Sequence, residues 1–279
     1  MIPLWLLPIA SFVISFFTSM AGISGAVLLL PFQMSVLSFV GPAVSPTNLV
    51  FNIVAIPSGV YRYLRERRLL GPLAVLVVAG TVPGTILGAL IRLFWLPDPV
   101  RFKAFVGCVL LYIGARLLLD ARRKTAAPND RRYQIQVVEF TRRRLAFDFQ
   151  GRPYHVNTIA ILGLSLAVGI VGGAYGIGGG AILAPFLVAI FGLPVYAVAG
   201  ATLLGTFVNS VVGVAFYSGL SVAPNWKLGL LFGLGGIPGM YLGARTQRFV
   251  PAFWLKAMLG LILLALALGY LYSWLHAAV

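Results

Sequence analysis

Residues 22–32 read GISGAVLLLPF, and residues 176–186 read GIGGGAILAPF. Gly22 pairs with Gly176, Gly25 with Gly179, Pro31 with Pro185 and Phe32 with Phe186, at an offset of 154 throughout (176 − 22 = 154). At the same offset Val44 meets Val198, Asn48 meets Thr202, Leu49 meets Leu203, Gly59 meets Gly213 and Tyr63 meets Tyr217. VPGTILGA at 82–89 matches IPGMYLGA at 237–244, and FKAFVGCVLL at 102–111 matches LKAMLGLILL at 255–264. Four blocks in the same order mark an internal duplication, which constrains the fold more than any single segment does.

Composition says what kind of chain is duplicated. Of its 279 residues 60% are hydrophobic and only 10% charged, against about 45–50% and about 25% in soluble domains. A nucleic-acid-binding protein with a net charge of +15 would not be this apolar, and a disordered chain would be the reverse. Cys108 is the single cysteine, so no intrachain disulfide framework exists. A polytopic membrane protein remains. Apolar runs lie at about 2–19, 25–40, 47–61, 72–95, 102–119, 156–172, 180–193, 195–217, 227–244 and 253–275. Several are short against the ~20 residues of a full crossing. Residues 2–19 read as a retained segment rather than a signal peptide, because no basic n-region or small-residue cleavage site accompanies them.

The charges orient the chain. Arg62, Arg65, Arg67 and Arg68 form one basic patch, and nine Lys and Arg residues between Arg122 and Arg152 form a second. Basic short loops mark the cytoplasmic side. The uncharged loops 33–47 and 218–226 then go outside, and so does the mixed loop 92–101. The loop after the second repeated block is basic in one half and neutral in the other, so equivalent loops face opposite sides. Each half holds an odd number of crossings, and the halves are related by inverted topology, as in many secondary transporters. The expected fold is all-α and membrane-integral, with repeats at about 1–120 and 154–279. Each repeat has a glycine-broken first hairpin followed by three helices. The expected units are residues 1–121, a basic cytoplasmic linker 122–153 and residues 154–279. A small β-hairpin is conceivable within 133–151. The first element of each half, 2–40 or 156–193, is either two thin crossings or one re-entrant hairpin, and both keep the count odd.

The uncharged breaks, TSMAGISG at 18–25 and VGGAYGIGGG at 171–180, are expected at membrane depth. A glycine turn followed by a helix presents free N–H groups and the positive end of the helix dipole, which suits an anion. The candidates are Gly22, Ser24 and Gly25 in the first half, and Tyr175, Gly176, Gly178, Gly179 and Gly180 in the second. Close helix packing is the competing explanation of such glycines. The next helix carries Asn48 and Asn52 in one half and Thr202, Thr206 and Asn209 in the other. Spacing of four puts each repeat-related pair on one helix face, where it completes an oxyanion shell or bonds a neighbouring helix. Arg92, Lys103, Arg116 and Lys256 read as snorkelling side chains near helix ends. No Asp or Glu falls deep in an apolar run, which disfavours a cation site. No catalytic set, metal-ligand cluster or cofactor motif is present.

GGAYGIGGGAILAPFL (172–187), AGATLLGTFVNSVVGVAFY (199–217) and GGIPGMYLGA (235–244) resemble the sulfite exporter TauE/SafE family of membrane permeases. The first half, MAGISGAVLLLPF at 20–32, is more divergent, with Ser24 and Ala26 where the second has Gly178 and Gly180. The resemblance spans the chain outside the basic linker. It implies a non-enzymatic carrier for sulfite, or for another sulfur oxyanion or organosulfonate, in a bacterial inner membrane, with the glycine blocks and the Thr-Leu helix lining the path. Its expected partners are a small anion and the lipid bilayer, with a coupled proton and a second copy of the chain as further candidates, and no nucleic acid. An anion channel lined by the same residues is the alternative.

Overall fold

In the computed structural model, residues 3–20, 23–65, 69–121, 135–149, 151–246, 250 and 252–277 are described. Ten helices among them follow the ten apolar runs. They are α1 (Leu6–Met20), α2 (Ala26–Ser35), α3 (Val44–Arg65), α4 (Gly71–Phe94), α5 (Pro99–Ala121), α6 (Thr158–Tyr175), α7 (Gly180–Phe191), α8 (Val195–Gly219), α9 (Trp226–Thr246) and α10 (Ala252–Ala277). Helices α4, α5, α6, α8 and α10 contain segments long and apolar enough to cross a membrane. Helices α2 and α7, of 10 and 12 residues, reach only about 15–18 Å at 1.5 Å per residue, roughly half the hydrocarbon thickness.

Glycine contacts give the helix directions. Along α4, Gly80 faces Ser165 and Leu162, Gly84 faces Leu166 and Gly169, and Gly88 faces Ile170 and Ala174. Both series rise together, so α4 and α6 run parallel. Gly235, Gly239 and Gly243 of α9 meet Pro8, Phe12 and Phe16 in the same sense, so α9 and α1 are parallel too. Gly229 lies on Thr47 and Val50, and Gly233 on Val54, making α9 parallel to α3. Gly205 on Val77 and Gly213 beside Thr85 make α8 parallel to α4. Between the central helices the order reverses: Gly59 meets Leu203 and Gly213 meets Leu49, so α3 and α8 are antiparallel. Helices α1, α3 and α4 of the first half therefore oppose their repeat equivalents α6, α8 and α9 in the second. The two halves are inverted repeats, each a broken hairpin followed by three helices.

The halves are also interleaved. The first helix of each packs on the fourth element of the other, as the pairs α1 with α9 and α6 with α4, while α5 packs on α10. The glycines at 80, 84 and 88 correspond to those at 235, 239 and 243 at the offset of 155. Small residues at four-residue spacing let helix backbones come close in a medium with no hydrophobic force between helices.

Across the end of the linker and the start of the second repeat, β1 (Ile135–Phe140), β2 (Arg144–Phe149) and β3 (Arg152–Asn157) form a three-stranded antiparallel sheet of order β1-β2-β3. This extends the expected hairpin by a strand. The third strand ends in Asn157, whose side chain accepts from the Ile159 and Ala160 amides and caps α6, so the sheet runs directly into the second repeat. Residues 122–134 of the expected linker lie outside the described residues.

A methyl group on Gly84 would sit 2.5 Å from the Leu166 carbonyl, whereas nothing lies within 4 Å of one on Gly163. Gly84→Leu should lower the apparent melting temperature by about 5 °C or more, the scale of a 1–3 kcal/mol overpacking penalty. Gly163→Leu should leave it unchanged. Thermal unfolding in detergent, followed by size-exclusion chromatography, checks both.

Candidate functional site

The two broken hairpins bring their tips to the same helix. Ser24 and Gly25 of the first tip are buried, and so are all residues from Gly172 to Gly180 of the second. Asn52 on α3 holds both: its Oδ1 accepts from the Ser24 hydroxyl at 3.2 Å, and its Nδ2 donates to the Ile177 carbonyl at 2.7 Å. One turn earlier Asn48 donates to the Ala26 carbonyl at 2.9 Å and to the Gly176 carbonyl at 3.0 Å, and accepts from Gln33. Ser45, another turn back, donates to the Ala174 carbonyl at 3.0 Å. Ser45, Asn48 and Asn52 thus form one polar stripe on α3 that pairs the carbonyls of an unwound turn. Spacing of three and four in the sequence carries the signal for Ser45.

Proline supplies another link. Pro31 lies inside α2 and has no N–H to give the Val27 carbonyl four residues back. That carbonyl instead accepts the Tyr175 hydroxyl at 2.9 Å, a bond between the two hairpins.

The tips are not equivalent. Ser24 Oγ accepts from the Ala26 amide at 3.3 Å, so the first tip partly caps its own helix. In the second, Gly176 and Gly178 adopt φ of +88° and +77°, conformations that strain any residue with a Cβ. Gly180 is helical but lies so close to α8 that a Cβ would overlap the Thr202 carbonyl. Gly179 caps α7 and packs on Gly169 and Thr81. Gly25 lies against Ser15 and Phe51. Gly22 lies outside the described residues.

On α8 the expected donors divide. Thr202 and Thr206 bond their own helix, to the Val198 and Thr202 carbonyls at 3.1 and 2.9 Å, so neither hydroxyl proton is free for a ligand. Asn209 is fully buried, and neither its Nδ2 nor its Oδ1 has a partner. It follows Thr206 by one turn and adjoins Ser210, and both of those residues lie against Gly178. Ser15, Thr85 and Ser165 also keep unpartnered buried hydroxyls. Their single hydroxyls in apolar helices were not legible as a site in the sequence.

Arg92 departs from the snorkelling expectation. It is fully buried, its guanidinium 3.6 Å from the Phe102 ring centroid and bonded to the Leu96 carbonyl. The chain turns back at α5 immediately after α4, and this closes Phe102 over the side chain before it can reach an interface. Arg116 also stays within the fold, paired with Asp120 at 3.4 Å.

Two oppositely directed five-helix units meeting through broken hairpins define an inverted-repeat membrane transporter. The description that matches the sequence is the sulfite exporter TauE/SafE family, over residues 7–270. The chain belongs to that family, whose members are membrane transporters. It matches no curated protein and no solved structure significantly.

Asn52→Ala removes one partner from each tip and leaves the Ile177 carbonyl buried without one. An unsatisfied buried group costs about 1–3 kcal/mol, so the melting temperature should fall by several degrees. The fall should exceed that of Thr206→Val, which loses only a bond within α8.

Proposed function

We propose that the protein is a carrier for a small anion, sulfite or another sulfur oxyanion or organosulfonate, working by alternating access in a bacterial inner membrane. The observation that carries this reading is the buried, unpaired amide of Asn209, flanked on α8 by the Thr206 and Ser210 that lie against Gly178 of the second tip. The Gly176 and Gly178 amides are bonded to the Gly172 carbonyl, while a side-chain amide N–H and the positive helix ends suit an oxyanion without a formal charge at the site. Asn209 is its side-chain donor. Asn48 and Asn52 act first as clasps: their bonds to the tips must exchange for bonds to the anion or to each other as one unit rocks. Ser24, Gly25, Gly176, Gly178, Gly179 and Gly180 shape the tips, with Gly22 assigned by the repeat. Tyr175, Thr202 and Thr206 hold them in place.

In this reading residues 1–121 and 154–279 are the two repeats, and the moving units are bundles drawn from both, because the glycine stripes tie α1 to α9 and α4 to α6; the linker 122–153 lies on the cytoplasmic face, where its arginines satisfy the positive-inside rule. A proton is the coupling ion we favour, and a homodimer is the assembly we favour.

Proteoliposomes loaded and diluted with sulfite, thiosulfate, sulfoacetate and sulfate, with and without a pH gradient, test the reading. Accelerated exchange when the same anion is present on the far side is expected of a carrier; flux that ignores the far side identifies a channel. Asn209→Ala should raise the apparent KM about tenfold, the scale of one buried hydrogen bond to a charged group, with the folded yield unchanged. Absence of flux or binding for every small anion overturns the assignment.

A further inference from the structure

A narrow cleft lies where the two hairpins meet α5. Ile23 and Val27 line it from the first hairpin, Ile182 and Pro185 from the second, and Tyr112, Arg116 and Asp120 from α5. Its free volume of about 30 Å³ accommodates water but no sulfur oxyanion, so a ligand must widen it. Tyr112 stacks on Phe186 of α7, with centroids 5.1 Å apart and planes at 9°, which fixes one wall. The other surfaces of the cleft are aliphatic, and the Arg116–Asp120 pair supplies its formal charge.

That pair is poorly suited to a structural role. Its side chains are 17% and 24% exposed, and such i, i+4 pairs contribute only a few tenths of a kcal/mol. The order, Arg before Asp, is the weaker of the two on a helix. Asp120 is the next-to-last residue of α5, where the helix dipole disfavours a carboxylate.

The repeat supplies an independent comparison. At the offset of 153, Arg116 corresponds to Gly269, Leu117 to Tyr270 and Asp120 to Ser273. At the equivalent place in the other half, the Tyr270 hydroxyl donates to the Pro31 carbonyl at 3.2 Å and pairs with Ser35 at 2.6 Å. Pro31 is the counterpart of Pro185. A hydrogen-bonded tyrosine therefore stands at one of the two repeat-related positions, and the other keeps a cleft with a charge pair. The repeated unit is built once with the pair and once without it, so the architecture does not require the pair.

We propose that Arg116 is the cationic ligand of an anion-capture site in this cleft, and that Asp120 occupies its guanidinium until the arriving oxyanion displaces the carboxylate. The site lies at the end of α5 that leads into the linker, ahead of the tips, and the inference rests on the anion-carrier reading. Asp120 then acts as a selectivity filter: a weak or monovalent anion competes poorly with it, while an oxyanion with two or three acceptor oxygens can replace a carboxylate on a guanidinium fork.

The test is sulfite transport into proteoliposomes, read as KM and kcat from the linker side, together with the shift that sulfite produces in the melting temperature of the detergent-solubilised chain. Arg116→Gln should raise KM about tenfold with kcat within about twofold, and abolish the thermal shift. Arg116→Lys should fall between it and the wild type. Asp120→Asn should lower KM, the opposite direction, and enlarge the shift. A wild-type KM in Arg116→Gln overturns the site while leaving the carrier intact, and so do KM changes of the same sign in Arg116→Gln and Asp120→Asn. If the wild type moves no anion, the carrier reading falls; a sulfite shift lost in Arg116→Gln would then still support the site, and an equal or absent shift would end it. The arms are repeated in vesicles of phosphatidylcholine alone and with added phosphatidylglycerol. An Arg116 effect that vanishes without the anionic lipid makes the bound group a lipid phosphate and overturns the capture of a free anion.

Discussion

An unwound backbone turn in the middle of a membrane protein has no water to satisfy its peptide groups, and most of what is distinctive in this structure follows from that constraint. Each half breaks its first helical hairpin at a glycine-rich turn. The carbonyls of the second turn, at Ala174, Gly176 and Ile177, are met by Ser45, Asn48 and Asn52 from a single face of α3. The Gly173 carbonyl accepts the Tyr217 hydroxyl at 3.0 Å. Helices α3 and α8 carry the buried asparagines, and the breaks lie against them. A glycine turn moved elsewhere would have lacked partners.

The same constraint explains how the halves are joined. The second tip is paired by α3 of the first half, which also holds the first tip, and Tyr175 of the second half pairs the Val27 carbonyl of the first hairpin. Glycine stripes on α4 and α9 add close backbone contact with α6 and α1, where dispersion between backbones takes the place of hydrophobic burial. The tips are held by hydrogen bonds that exchange readily, and the stripes by packing that does not. This division suits a protein in which units move as rigid bodies around a site whose bonds are remade.

Duplication makes the differences between the halves informative. Ser24 caps the first tip while Gly178 leaves the second uncapped; Asn209 has Ala55 as its counterpart at the offset of 154, and Arg116 has Gly269 at that of 153. Positions that keep their residue type, such as the prolines at 31 and 185, serve the architecture. Some polar residues confined to one half pair buried carbonyls, as Ser45 and Tyr175 do; the unpaired Asn209 amide and the cleft's charge pair do not.

Much of this was legible in the chain itself. The repeat, the ten helices, the opposed directions and the polar face at Asn48 and Asn52 all follow from composition, spacing and charge, which are local or nearly so. The tertiary structure decided which donors are free. Asn48, Thr202 and Thr206 look alike in sequence, yet their polar groups are already engaged, while Asn209 keeps both ends of its amide unpaired. It also buried Arg92 under Phe102 and added a third strand to the linker hairpin. A hydrogen bond is settled by where two segments more than a hundred residues apart come to rest, as for Asn52 and Ile177. Periodicity along the chain reports which face of a helix is polar, and carries no record of what that face will meet.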